Sequence, residues 1–205
     1  MPTVRLSTTP AEIEMALKLR YEVFFLEGGD ARYADHERQI WSDRDDGPQS
    51  HLLIAVDDSE NVIGTVRLTI LRDWQFIALE AYELDVLASH VGVALEELLP
   101  RIARLDRGAI ALAYRGMGIM PLLQQRAEEV SLRHNCDVFI GSPGVENSRA
   151  RRAYEKLGWK DYPVIGTYGG FTAQAIFKLL QTGSAQEPVD LSVKQPISDQ
   201  ADMVP

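Results

Sequence analysis

The stretch Leu105–Leu123, LDRGAIALAYRGMGIMPLL, constrains this chain more than any other segment. An aliphatic run that reads as a strand delivers the chain into Arg115-Gly116-Met117-Gly118-Ile119-Met120. An amphipathic helical pattern follows from Ile119 to Arg133, with Leu122, Leu123, Ala127 and Val130 predicted to face inward. The first-turn amides of a helix lack internal partners and sit at the positive end of its dipole. Glycines let that backbone approach a ligand, so the segment reads as a phosphate cradle. Pro121 suits the first helical turn, where its missing N–H is no loss. Arg115 adds a charge-assisted donor.

Other readings of the glycines compete. A dinucleotide fingerprint needs a third glycine where Pro121 stands, and the acid about 20 residues on, Asp137, opens its strand rather than ending it. No Gly-Lys-Ser/Thr follows, which excludes a P-loop. A plain glycine turn before a core helix is the structural alternative.

A second segment, Asn147-Ser148-Arg149-Ala150-Arg151-Arg152-Ala153-Tyr154-Glu155-Lys156-Leu157-Gly158-Trp159, shifts the balance. Together the two segments resemble the GCN5-related N-acetyltransferase (GNAT) superfamily. Arg115-x-x-Gly118 matches most of that family's pyrophosphate signature, Arg/Gln-x-x-Gly-x-Gly/Ala, with Met120 at the last position. Asn147, Ala150, Tyr154 and Leu157-Gly158-Trp159 match its second motif.

The resemblance implies an α+β fold, an α/β sandwich with a mixed central sheet, two splayed parallel strands and helices on both faces. The strands would be about 103–112 and 137–142, with the pantetheine arm of a thioester between them. It implies that Ile110, Arg115, Gly116, Met117, Gly118, Ile119, Met120, Asn147 and Arg149 bind acetyl-CoA or another acyl-CoA, or the phosphopantetheine of an acyl-carrier protein. Tyr154 matches the tyrosine that protonates the departing thiolate, a sensible role because a hydroxyl donor eases loss of a thiolate whose pKa is about 8.5. The acceptor amine must shed a proton, and Asp106 and Glu146 are the candidate bases. Cys136 has no assigned base, which disfavours a covalent acyl-cysteine route.

The rest of the chain fits this order. Val4-Arg5-Leu6 reads as a short strand, and Thr9-Pro10-Ala11-Glu12 is a helix start with an N-cap, Pro at N1 and Glu at N3. Ile13, Leu17, Tyr21 and Phe24 continue one apolar face to Gly28-Gly29. Residues 30–50 read as a long loop or broken helix. Strands are predicted at 51–56 and 62–71 around the turn 57–61, a partly helical stretch at 81–99, a strand at 102–112 and another at 137–141. A basic helix follows at 147–157, closed by Gly158, then a strand pair at 164–168 and 172–180. One acyltransferase domain is expected over 1–181, with a disordered tail at 182–205 rich in Ser, Gln, Asp and Pro.

Charge bounds the partners. The 205 residues carry a net charge of −9, the wrong sign for a general nucleic-acid binder. Residues 101–152 reverse it, with 9 bases against 5 acids, as suits a local anionic ligand. One cysteine favours a reducing compartment. No apolar run approaches the roughly 18 residues of a membrane span, and no signal-peptide core opens the chain, so a cytoplasmic protein is expected. His36, His51, His90 and His134 lack paired ligand spacing, and Asp43-x-Asp45-Asp46-Gly47 departs from a calcium loop, so no metal is expected.

The N-terminal half has a narrower resemblance, to autoinducer synthases and long-chain N-acyl amino acid synthases. Arg20, Phe24, Trp41, Asp45 and Arg67 echo that branch's early Arg, Phe, Trp, acidic pair and strand Arg, and are the candidate substrate residues. Arg107 falls near the branch's later Glu-x-Ser-Arg element, with Arg104 and Asp106 at its glutamate and serine positions. The acidic loop 43–46 would then receive a cationic amine.

The expected function is transfer of an acyl group, acetyl first, from a CoA thioester to a small-molecule amine by direct attack, in a monomer or homodimer. The alternatives are a long-chain N-acyl amino acid or autoinducer-type synthase using acyl-carrier protein, and a non-catalytic acyl-CoA-binding or protein-interaction domain.

Overall fold

The computed structural model describes residues 2–47, 50–70, 83–168 and 171–180. The expected tail at 182–205 and the Gly169-Gly170 turn lie outside the described residues, as does Leu71.

Strand β1 (Thr3–Leu6) leads into helix α1 (Pro10–Arg20). The Thr9 hydroxyl accepts from the Glu12 amide while the Glu12 carboxylate accepts from the Thr9 amide, a complete capping box. Past Arg20 the helix widens into a π-helical turn, Tyr21–Glu27, a rare geometry that sequence periodicity did not foresee. The loop expected after it contains a two-stranded sheet, β2 (Ala34–Asp35) and β3 (Ile40–Trp41).

Strands β4 (Ser50–Val56) and β5 (Val62–Ile70) form the expected hairpin. Helices α2 (Leu84–Val91) and α3 (Leu95–Leu98) precede β6 (Ile102–Ile110), which feeds α4 (Ile119–Arg133). Then come β7 (Val138–Gly141), α5 (Ser148–Lys156), β8 (Lys160–Tyr168) and β9 (Phe171–Leu179).

Seven strands build one mixed sheet in the order β1-β4-β5-β6-β7-β9-β8. Among them only β6 and β7 pair in parallel, joined by α4 as the crossover. The strand pair expected after α5 adds no second parallel neighbour. Instead β9 returns antiparallel to both β7 and β8 and lies between them.

Helix α4 covers one face, burying Ile119, Leu123, Ala127 and Val130 against Leu53, Val66, Leu68 and Leu105. Each of the Ile, Leu and Val side chains contributes about 1.5–3 kcal/mol by leaving water. Leu122, expected inward, is 40 % exposed, because it lies about 100° around the helix from Leu123. Across the sheet, α1 packs Ala16 and Leu17 on Leu52, Ile54 and Val56, and α2 packs Leu84 and Leu87 near Val138 and Phe177. Helices therefore cover both faces, as the α+β reading requires. No described helix is long and apolar enough to cross a membrane.

Candidate functional site

The parting of β6 and β7 shapes the site. They pair only at Ile102↔Val138, Ala103↔Phe139 and Arg104↔Ile140. Beyond Arg104, β6 continues with β5, while β7 stays with β9 and ends at Gly141. The β5–β6 register shifts between Thr65 and Arg67, and Arg107 opposite has φ 53°, a bulge that bends β6. A wedge opens between the two strands that the resemblance expected to splay apart.

The cradle lies at the exit of β6. After a single 3-10 turn at Leu112–Tyr114, Gly116 and Gly118 take φ 82° and 80°, left-handed conformations that favour glycine, and Gly118 caps α4. A Cβ at either position would meet nothing within 4 Å, so both face open space. The first α4 amide to reach back to the turn is that of Leu122, to the Gly118 carbonyl. The Ile119 and Met120 amides precede it, at the positive end of the helix dipole. Met120, where the family pattern has a small residue, packs down on β6: a Cβ on Gly108 would lie 2.7 Å from its Cε. Met117 is exposed.

Arg115 does not extend freely into the cradle. Its Nε donates to the Ile110 carbonyl at 3.0 Å, and its terminal nitrogens bind Glu27 at 2.7 and 2.9 Å. Glu27 carried no motif and was not among the expected site residues.

Helix α5 follows β7 in the chain, after residues 142–147. The Asn147 Oδ1 caps it by accepting from the Ala150 amide at 3.0 Å. Tyr154 lies seven residues on, close to two turns, and so shares the Asn147 face. Its ring meets Trp159 edge-on at 5.3 Å and lines a cavity of about 510 Å³ with Pro143, Ser148, Arg151, Trp159 and Ile176. Glu146, just before α5, and Arg149, in its first turn, are exposed.

Arg20, Phe24, Trp41, Asp45 and Arg67 do come together, three of them buried and Phe24 and Asp45 half-buried. Arg20, Trp41 and Arg67 have no accessible surface, so in this structure they form a wall and not a contact surface. Arg67 binds both oxygens of Asp106 at 2.8 Å and also contacts Asp43 and Asp46. Arg20 binds Asp46 at 2.8 Å, while its Nε and Nη2 have no protein partner. Arg104 binds Asp45 at 2.9 Å, and Arg107 binds Asp43 at 2.6 Å. Four arginines thus neutralise Asp43, Asp45, Asp46 and Asp106. The loop carboxylates expected to receive a cationic amine are already occupied.

Asp106, a candidate general base, is held in the same ion-pair cluster. Burial opposes its ionisation, but Arg67 and Arg104 outweigh that and hold its carboxyl far below the usual carboxylate range. Such a carboxylate is too weak a base to take a proton from an ammonium. Phe24 and Tyr33 meet Trp41 edge-on at 4.9 and 5.1 Å, and the Arg107 guanidinium lies 4.8 Å from the Trp41 ring centre. These contacts order residues 30–47 as a wall beside the wedge.

The model of the acetyltransferase (GNAT) family matches residues 13–159. Over 151 residues the chain is 32 % identical to the L-ornithine N(alpha)-acyltransferase of Brucella abortus (strain 2308), a match covering 67 % of this chain and 50 % of that protein. The chain thus spans about half the length of that curated relative. A GCN5-related N-acetyltransferase from Kribbella flavida superposes with TM-score 0.58 at 18 % identity, over 87 % of this chain and 98 % of that one. An N-acyl amino acid synthase from uncultured soil microbes gives TM-score 0.61 at 18 % identity, over 88 % and 91 %. At such identities the structural likenesses speak for the fold alone.

Proposed function

The chain belongs to the acetyltransferase (GNAT) family, and on that premise we propose that it is an N-acyltransferase moving an acyl group from a pantetheine thioester to the amine of a small molecule. The observation that carries this reading is the wedge between β6 and β7, with the glycine-formed amide row at its mouth. The amides of residues 116–120 would hold the donor's phosphate. Asn147 has its oxygen committed to the helix cap, so its amino group would donate to a carbonyl of the pantetheine arm. The neutral amine attacks the thioester carbonyl, the C–N bond forms, and collapse of the tetrahedral intermediate breaks the C–S bond. Tyr154 would give its proton to the departing sulfur. With Asp106 tied to Arg67, the amine's proton would go to water or to exposed Glu146.

A second reading concerns the partners. The 32 % identity to an L-ornithine N(alpha)-acyltransferase favours the α-amine of an amino acid as acceptor. On this reading the donor is a long-chain acyl group on acyl-carrier protein in place of acetyl-CoA.

The test is thiol release. Acetyl-CoA, a long-chain acyl-CoA and acyl-carrier protein are each supplied with ornithine, lysine or a simple alkylamine. Amine-dependent release with acetyl-CoA supports the first reading, and release confined to long acyl chains and amino acids supports the second. Binding of coenzyme A without release from any donor would sink both in favour of a binding domain.

A further inference from the structure

Arg115 and Glu27 join two parts of the molecule that otherwise belong to different tasks. Glu27 ends the π-helical turn Tyr21–Glu27, and its two oxygens accept from both terminal nitrogens of Arg115. With Nε given to the Ile110 carbonyl, all three nitrogens of the guanidinium are engaged. That fork-on-fork geometry is also the one by which a guanidinium takes a phosphate. Arg115 immediately precedes the Gly116–Met120 amide row, so carboxylate and phosphate would seek the same donor.

The π turn is tied to the aromatic wall as well. Phe24, within it, meets Trp41 at 4.9 Å. Gly28 closes it so tightly that a Cβ there would lie 2.7 Å from the Phe24 carbonyl oxygen. The Asp30 amide also donates to the Phe24 carbonyl at 2.8 Å, so the chain just past Glu27 is hydrogen-bonded back to Phe24. The Arg115 and Glu27 side chains are 22 % and 36 % exposed, so their pairing is solvent-screened and replaceable. Buried Arg67, by contrast, has no such freedom.

We infer that Glu27 is a positioning residue that holds Arg115 until the phosphate of the donor's pantetheine arm displaces it, so that donor binding is transmitted through the Tyr21–Glu27 turn to the Phe24–Trp41 wall. The inference rests on the donor cradle proposed above. Glu27 thereby sets the order of events: the Phe24–Trp41 wall adjusts only after the donor has entered.

The test is calorimetric titration of wild type and Glu27→Gln with coenzyme A and with 4′-phosphopantetheine, alongside backbone hydrogen exchange over residues 21–27. Loss of a screened competitor should tighten binding about two- to fivefold in Glu27→Gln. In wild type, coenzyme A should raise exchange over 21–27, and in Glu27→Gln it should leave exchange unchanged. A gain with both probes assigns the competition to the phosphate next to pantetheine, and a gain with coenzyme A alone assigns it to the rest of the pyrophosphate. Equal or weaker binding by Glu27→Gln, as a merely structural role would give, overturns the inference and leaves the cradle standing. Failure of wild type to bind either probe overturns both.

Discussion

Arg67 and Asp106 face each other across β5 and β6 and share two parallel hydrogen bonds of 2.8 Å, deep in the wall beside the wedge. Arg67 is fully buried and also contacts Asp43 and Asp46, so removing one partner strands charge in a dry setting. Asp106→Asn should therefore lower unfolding stability by about 3–5 kcal/mol in denaturant titration. Full stability with loss of turnover would instead restore Asp106 as a catalytic base.

The same cluster sets the response to acid. Burial opposes ionisation of Asp46 and Asp106, yet Arg20 and Arg67 hold the first, and Arg67 and Arg104 the second, below the ordinary carboxylate value. A carboxyl depressed in the folded state stabilises the fold above its unfolded pKa of about 3.9 and loses that contribution as pH falls through the folded pKa. Melting temperature should thus change little on account of these groups between neutral pH and about pH 5, then drop as acidification proceeds below about pH 4. A flat melting temperature down to pH 2 would count against the cluster as a stabilising unit.

Tyr154→Phe keeps the ring packed on Trp159 and removes only the hydroxyl. If that hydroxyl protonates the leaving thiolate, kcat should fall by about 10²-fold or more with the melting temperature intact. The deficit should shrink with a thioester whose thiol is more acidic. An unchanged kcat would remove Tyr154 from the mechanism.

Asn147 has two expected duties, which separate on substitution. Asn147→Ala loses the α5 cap, at a cost of about 1 kcal/mol in stability, and should also raise the donor KM. Asn147→Asp preserves a cap acceptor while removing the amino group. It should restore stability but not donor binding.

Gly118 caps α4 at φ 80°, with open space where a Cβ would go. Gly118→Ala meets no clash, so its penalty is the left-handed strain alone, about 1–2 kcal/mol. Relief of that strain by local rearrangement should weaken coenzyme A binding measured by calorimetry, while circular dichroism stays native. Undiminished binding would mean that the amide row does not hold the phosphate.

What the sequence alone determined was local. The Thr9–Glu12 capping box, the β4–β5 hairpin and α4 from Ile119 to Arg133 are short-range patterns of cap, turn and period, and they appear where those patterns put them. The positive-φ glycines before α4 and the Asn147 cap of α5 were legible because each is a contiguous motif whose physics is that of a single backbone segment. Charge pairing was decided only in three dimensions. The sequence offers Asp106 as a candidate base or an ion-paired acid, and only the β5–β6 register sets it opposite Arg67, 39 positions away. Glu27 carried no signal at all, because its meaning depends on a π turn that aims it at Arg115, 88 positions on. A titratable side chain takes its role from the charges that tertiary folding brings within a few ångströms, and that proximity is not a property of its neighbours in the chain.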